Sequence, residues 1–289
     1  MSGQSVGNAW DAPALEVTLL GPTLRFNVDC AFGITGGNFA LSLNGETVHP
    51  HVTVHAKVGD SLVIGGSAEG ARCYIAFAGG LKAAVILGSS STYLPGELGG
   101  FCGRALKKGD ELELFADAAV DGEISTPAEY RLPMSSSWAL RACDSFETVR
   151  LAGESRERLF ESNWTVGRRA DRVGLQLDGV RLDVSSDGHM PSAPVFPGTV
   201  QCPESGSPFV LSVDAGTVGG YPRVAQVVRA DRHVLGQLQP GDRVRLPAWS
   251  ASSSRRLRSS SVAKLLPHTS QRWLRSNSSI SLRTAAACS

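Results

Sequence analysis

"KVGDSLVI", residues 57–64, launches an apolar–polar alternation from a Gly-Asp pair, and the chain repeats the device as "KKGDELEL" at 107–114 and "QPGDRVRL" at 239–246. Glycine reaches the positive-φ backbone that such a turn needs, and the aspartate carboxylate accepts a backbone N–H of the same turn. The alternation after each turn has the period of a strand with one buried face. This is a structural device without chemistry. It predicts one β-unit closing near residue 114 and another near residue 246.

Working outward, the same signature recurs in "ALEVTLL", "TLRFNV", "FALSLNG", "DSLVIGG", "ARCYIAFAGG", "DELELFA", "VGLQLDGVRLDV" and "PFVLSV", each short and bounded by Gly, Asn, Asp or Pro. Only "SRERLFESNW" and "RADRHVLGQL" have a helical pattern, and both are short. Closely spaced turns point to barrels or sandwiches, not to a parallel α/β sheet. The predicted fold is mainly β, with two β-barrel-like units and a few short helices. Residues 1–115 form the first unit, 116–135 a linker, 136–246 the second unit and 247–289 a tail.

The 289 residues, 42% hydrophobic and 19% charged, suit a soluble globular chain with a sizeable core. No apolar run approaches a membrane span, and "MSGQSVGNAWDAPALEV" lacks the basic-then-apolar order of a signal peptide. A cytoplasmic protein with no membrane partner is expected. Cys30, Cys73, Cys102, Cys143, Cys202 and Cys288 show no CxxC spacing and are expected to be small apolar fillers. His49, His51 and His55 alternate along one strand face with no acid or thiol at ligand spacing, so no metal site is expected.

The formal charge of +1 conceals an asymmetry. No acid follows Asp242, while Arg255, Arg256, Arg258, Lys264, Arg272, Arg275 and Arg283 are all basic. Removing those seven from 28 leaves 21 basic against 27 acidic residues in 1–246, a net of −6 that argues against nucleic acid as a partner. The last 43 residues hold 13 serines and no steady period, so a disordered or non-native tail is expected.

The stretch with the densest glycines is "DAGTVGGYPRVA", 214–225. Gly216, Gly219 and Gly220 mean either a sharp bend or a close approach to the backbone. With "PGTVQCP" (197–203), "LGQLQPGDRVRL" (235–246), "DRVGLQLDG" (171–179) and, earlier, "ALEVTLLGPTLRF" (14–26), "AFAGG" (76–80) and "LGSSSTYLPGELGGFCGRALKKGDEL" (87–112), it resembles the biotin-dependent carboxyltransferase family. That family, also called allophanate hydrolase subunit 2, includes the C subunit of 5-oxoprolinase, the KipI antagonist and the carboxyltransferase part of urea amidolyase. The resemblance runs over roughly 6–246. Members usually open with "TTVQD-x-GR-x-G" and "GVP-x-SGA-x-D", which are absent, and the Ser/Arg tail stands where an amphipathic finish is usual; both ends are expected to be altered.

The resemblance implies a C-terminal cyclophilin-like barrel. It also implies a complex with a B-type partner (KipI-like or allophanate hydrolase subunit 1-like) and, in some systems, an A-type partner. It implies ATP-dependent opening of 5-oxo-L-proline to L-glutamate by that complex. The alternatives are biotin-dependent carboxyl transfer to urea or an amide nitrogen, with biotin as carrier, and a non-catalytic regulatory role like that of the KipI antagonist. The substrate that the resemblance implies is a small amide, lactam or urea. ATP enters by resemblance alone, since no GxxxxGK[ST] occurs in the chain.

Such planar, oxygen-rich substrates suit backbone N–H groups brought close. Gly216, Gly219 and Gly220 can form an oxyanion-type concavity, with Thr217 offering a hydroxyl, Tyr221 a phenol and Asp214 a carboxylate. The catalytic candidates are therefore Asp214, Thr217 and Tyr221. Gln201 can donate to and accept from an amide, and Arg172 and Arg104 are candidates for an anionic group. A barrel corner, with Tyr221 as a core aromatic and Asp214 as a turn cap, is the competing reading. Ser89, Ser90, Ser91 and Thr92 read as a hydroxyl-lined turn, lacking a base nearby.

Overall fold

The computed structural model describes residues 2–115, 120, 122–185, 190–250 and 279–282. The chain divides into two compact units, Met1–Met134 with Thr269–Ser289, and Ser135–His268.

In the first unit lie β1 (Ala14–Thr18), β2 (Thr23–Arg25), β3 (Cys30–Leu43), β4 (Glu46–Thr47), β5 (Thr53–Ala56) and β6 (Ser61–Phe77). "DSLVIGG" and "ARCYIAFAGG" are not two strands but one, β6, which pairs along β3 in a long antiparallel hairpin. The register slips at Gly36–Asn38, where a Cβ on Gly36 would stand 2.5 Å from the Arg72 carbonyl and one on Gly37 2.5 Å from that of Gly70. Those glycines let two long strands cross closely and coil. The core gathers Leu15, Ile34, Leu62, Ile64 and Ile75 around Phe26, Phe32 and Phe77, whose ring centroids lie 5.4 to 6.4 Å apart.

All three Gly-Asp turns form as expected. Gly59, Gly109 and Gly241 have φ of 92°, 89° and 96°. The carboxylates of Asp60, Asp110 and Asp242 accept from the N–H of Lys57, Lys107 and Gln239 at 2.7, 2.6 and 3.1 Å. The strand expected over "DELELFA" is reduced, among the described residues, to an antiparallel bridge of Leu114 to Leu81, flanked by hydrogen bonds from Lys82 N–H to the Glu113 carbonyl at 2.8 Å and from Phe115 N–H to the Gly80 carbonyl at 3.0 Å. A Gly-Asp turn sets direction, but the length of a strand is limited by the length of the edge it pairs with.

The second unit contains β7 (Ser137–Ala139), β8 (Ala142–Asp144), the helix α1 (Ser155–Glu161), β9 (Trp164–Ala170), β10 (Gly174–Asp178), β11 (Ala193–Pro194), β12 (Thr199–Gln201), β13 (Phe209–Leu211), β14 (Val218–Gly219), β15 (Arg223–Val227) and β16 (Arg243–Arg245). The second expected helix is a 3-10 segment, Arg229–Gln237. The main sheet runs β7-β16-β9-β10-β13-β12-β15-β8. Its two ends are one stretch of chain: β7 pairs parallel with β16, Leu140 N–H donates to Arg245, and β8 pairs with β15. The ladder therefore closes on residues 137–144 and leaves no open edge in the circuit. Trp164, Leu140, Leu159, Leu175 and Leu177 fill the interior, and Trp138 donates its indole N–H to Asp242 at 2.8 Å.

Both units are mainly β. Most of 247–289 lies outside the described residues. In the described parts, Ala142 N–H donates to the Pro247 carbonyl, Trp249 N–H donates to that of Ala142, and the Ser279–Leu282 strand lies parallel to β1. An edge such as that of β1 accepts any extended segment, because the pairing uses only backbone groups.

Candidate functional site

The glycine loop joins β13 to β15 and is fastened at each end. At its start, Asp214 N–H donates to the Arg172 carbonyl at 2.8 Å, and Arg172 returns Nε to Oδ2 at 2.6 Å and a terminal nitrogen to Oδ1 at 3.2 Å. Midway, β14 pairs with β11, and Val195 N–H donates to Thr217 at 3.0 Å. At its close, the buried Gln201 amide donates to the Tyr221 carbonyl at 3.1 Å, and Cys202 N–H donates to Pro222 at 3.0 Å.

Arg223 is the strongest fastening. Its guanidinium forks onto Glu147 at 2.7 and 2.6 Å, donates to the Pro194 carbonyl at 2.9 Å, and lies 4.8 Å from the Phe146 ring centroid. It thus ties β15, the β11 ribbon and the turn before Thr148–Arg150 together. The Arg223 guanidinium and backbone N–H hold the Glu147 carboxyl below its ordinary value, against the opposing effect of burial. Sequence reasoning missed both residues. The Arg directly after "GGYP" was the available signal; Glu147, 76 positions away, had none.

The three glycines are not equivalent. A Cβ on Gly219 would lie 2.5 Å from the Gln201 amide nitrogen, so that glycine is required by its neighbour. On Gly216 the nearest atom would be the Val218 carbonyl at 3.6 Å, and on Gly220 the Ser192 hydroxyl at 3.9 Å. Both distances are ordinary contacts, and neither residue has the left-handed backbone that favours glycine. Among the described residues, then, nothing in the fold asks for glycine at 216 or 220. Both are exposed and present bare backbone to solvent.

Thr217 and Tyr221 are exposed as well, Tyr221 at 56%, so the ring is not a core aromatic. The second unit thus brings Asp214, Gly216, Thr217, Gly219, Gly220, Tyr221, Gln201 and Arg172 into one loop and its footing. Arg104 belongs to the first unit, where it forks onto Asp110 at 2.6 and 2.7 Å and lies 5.2 Å from the Phe101 ring centroid. That fork, chiefly, takes the Asp110 carboxyl down to about 2. Burial takes the thiols of Cys30, Cys73 and Cys202 up to about 11, 12 and 12, as expected of apolar fillers; Cys102 departs from that expectation and is exposed. Among the described residues no group of three His, Cys, Asp or Glu side chains is placed to hold a metal ion, and no helix is long and apolar enough to cross a membrane.

The described residues thus combine a mainly β fold, a barrel in the second unit and a glycine loop beside the buried Gln201 amide. The carboxyltransferase domain family, subdomains A and B, matches residues 2–248, and the chain belongs to it. It is 32% identical over 253 residues to the C subunit of 5-oxoprolinase from Haemophilus influenzae, covering 88% of this chain and 80% of that protein. The crystal structure of TTHA0988 superposes with a TM-score of 0.74 at 33% identity over 86% of this chain, but over only 48% of that one. The K. lactis urea amidolyase superposes with a TM-score of 0.81 at 26% identity; 99% of this chain corresponds to 18% of that protein. The chain therefore spans about half of one solved relative and under a fifth of the other.

Proposed function

We propose that this chain is a cytoplasmic component, like the C subunit of 5-oxoprolinase, of an enzyme complex that opens 5-oxo-L-proline to L-glutamate at the expense of ATP. The observation carrying this reading is the bare backbone at Gly216 and Gly220, where the fold itself has no need of glycine. Lactam opening adds water across the amide C–N bond: as the water oxygen adds to the carbonyl carbon, negative charge gathers on the carbonyl oxygen, and it returns to the C=O when the C–N bond breaks and the nitrogen leaves with a proton. Backbone N–H groups that are already oriented stabilise that charge without reorganising. In this reading the loop from Gly216 to Gly220 receives the carbonyl, Thr217 and Tyr221 supply hydroxyls at its rim, and Asp214, held by Arg172, orients the lactam N–H. Gln201 supports Gly219 from beneath, Arg172 acts through Asp214, and Arg104, in the first unit, is engaged by Asp110 and takes no part in this loop.

ATP would supply the driving force. The residues of this chain do not fit it: no phosphate-binding loop occurs in the sequence, and the loop around Gly216 carries no lysine. No step here runs through the nucleotide, which is assigned to a partner protein of the B or A type. The likeness to urea amidolyase favours a second reading, carboxyl transfer from carboxybiotin to a urea nitrogen, which the same carbonyl-binding loop would serve.

The test is co-expression with the genes for the A-type and B-type partners, with ATP-dependent glutamate release as the readout, for wild type, Gly216→Val and Gly220→Val. Glutamate formation that falls at least tenfold in the variants while the complex still assembles supports the reading. A fully assembled wild-type complex that releases no glutamate overturns it. Carboxylation of urea by the chain with a biotin carboxylase would then establish the second reading.

A further inference from the structure

The barrel gives a carboxylate to Arg141, Arg172 and Arg223, through Asp231, Asp214 and Glu147. Arg232 is different. It is half-buried, and its only hydrogen bond among the described residues is a long one, 3.4 Å, from Nε to the Val227 carbonyl. Its neighbour in sequence, Asp231, is turned away to take both a backbone N–H and the guanidinium of Arg141. The next charge is Arg229, exposed and without an ion pair among the described residues, whose repulsion adds to burial in holding the Arg232 guanidinium below its ordinary range.

The setting is built from several elements. The Arg232 stem crosses Gly198, where an added Cβ would sit 3.3 Å from its Cγ and 3.0 Å from the Gln226 amide nitrogen. Gln226 in turn is held by Thr199 at 2.8 Å and the Pro197 carbonyl at 3.2 Å. Two like charges that share one corner without an acid are unfavourable until an anion joins them, and guanidinium forks match oxyanions in shape as well as charge. This corner lies beyond the Val227 end of β15, whereas the glycine loop meets the Arg223 end. Four residue steps separate those ends by roughly 13 Å.

We propose that Arg229 and Arg232 form a second binding site, for a small oxyanion (a phosphate or carboxylate group), distinct from the glycine loop and independent of the activity assigned to it. The test measures thermal unfolding of the full chain in separate titrations of inorganic phosphate, acetate and sodium chloride at matched ionic strength. Phosphate or acetate should raise the midpoint beyond chloride, and whichever does so identifies the group. Arg232→Met keeps the stem over Gly198 and should weaken the apparent affinity at least tenfold; exposed Arg229→Gln should weaken it several-fold, and Arg232→Lys should retain part of it. Should Arg232→Met fail to fold, Arg229→Gln still decides the matter. No rise beyond chloride in wild type, or a rise unchanged in the folded variants, overturns the site.

Discussion

Arg172 and Asp214 hold each other twice, through the side-chain fork at 2.6 and 3.2 Å and through the Asp214 N–H to the Arg172 carbonyl at 2.8 Å. The carboxylate at the head of the glycine loop therefore has a fixed direction before any ligand arrives. Removing either partner leaves a partly buried charge without its fork. Asp214→Ala and Arg172→Met should each cost about 1–3 kcal/mol of stability, and the double variant less than the sum. Urea unfolding of the four proteins in the cycle measures the coupling, and additive losses would mean the pair does not act as a unit.

The glycines separate the two readings of the loop. Gly219→Ala must push the Gln201 amide off the Tyr221 carbonyl and should destabilise by about 1–2 kcal/mol, the cost of a disturbed buried hydrogen bond. Gly216→Ala and Gly220→Ala have room for the methyl group and should leave stability within about 1 kcal/mol of wild type, or raise it, because alanine restricts the unfolded chain. Comparing unfolding midpoints with activity in the assembled complex shows whether the bare backbone serves a ligand.

Much of this was legible in the sequence. The Gly-Asp turns announced themselves because their requirements, a positive φ and a side-chain acceptor, are met within four residues. The glycine loop stood out for a similar reason. What could not be read was everything set by distant pairing: that 61–77 is a single strand, that "DELELFA" meets only the short edge at 80–82, and that Ser137–Asp144 closes the barrel at both ends. Glu147 belongs to the same class. Its meaning depends on Arg223, and nothing local in "SFETVR" points across the barrel.

The Glu147–Arg223 fork predicts an acid-sensitive loop. A carboxyl whose folded-state value lies below its ordinary 4.5 contributes stability that is present above 4.5 and is lost as pH falls through the folded value. Asp110 behaves alike in the first unit, its contribution fading between 3.8 and about 2. Wild type should lose stability on acidification below pH 4.5. Glu147→Gln should start less stable at pH 7 and show a shallower fall. Parallel curves for the two proteins, measured by thermal unfolding from pH 7 to pH 3, would remove Glu147 from the account.

Thiol reactivity follows burial, because the thiolate is the reacting species and a desolvated thiol resists ionisation. Cys30, Cys73 and Cys202, held up at about 11, 12 and 12, should resist alkylation at pH 8 in the folded protein. Cys102 is exposed on a left-handed backbone with φ of 53° and should react before those three. Peptide mapping after a short pulse of iodoacetamide distinguishes the sites. Adding denaturant should then release Cys73 with the first unit and Cys202 with the barrel. If the two units unfold independently, the two cysteines become reactive at different denaturant concentrations, and if they unfold as one, together. Labelling of Cys73 or Cys202 as fast as Cys102 without denaturant would contradict the packing of both cores, since each side chain has no measurable exposure in the folded chain.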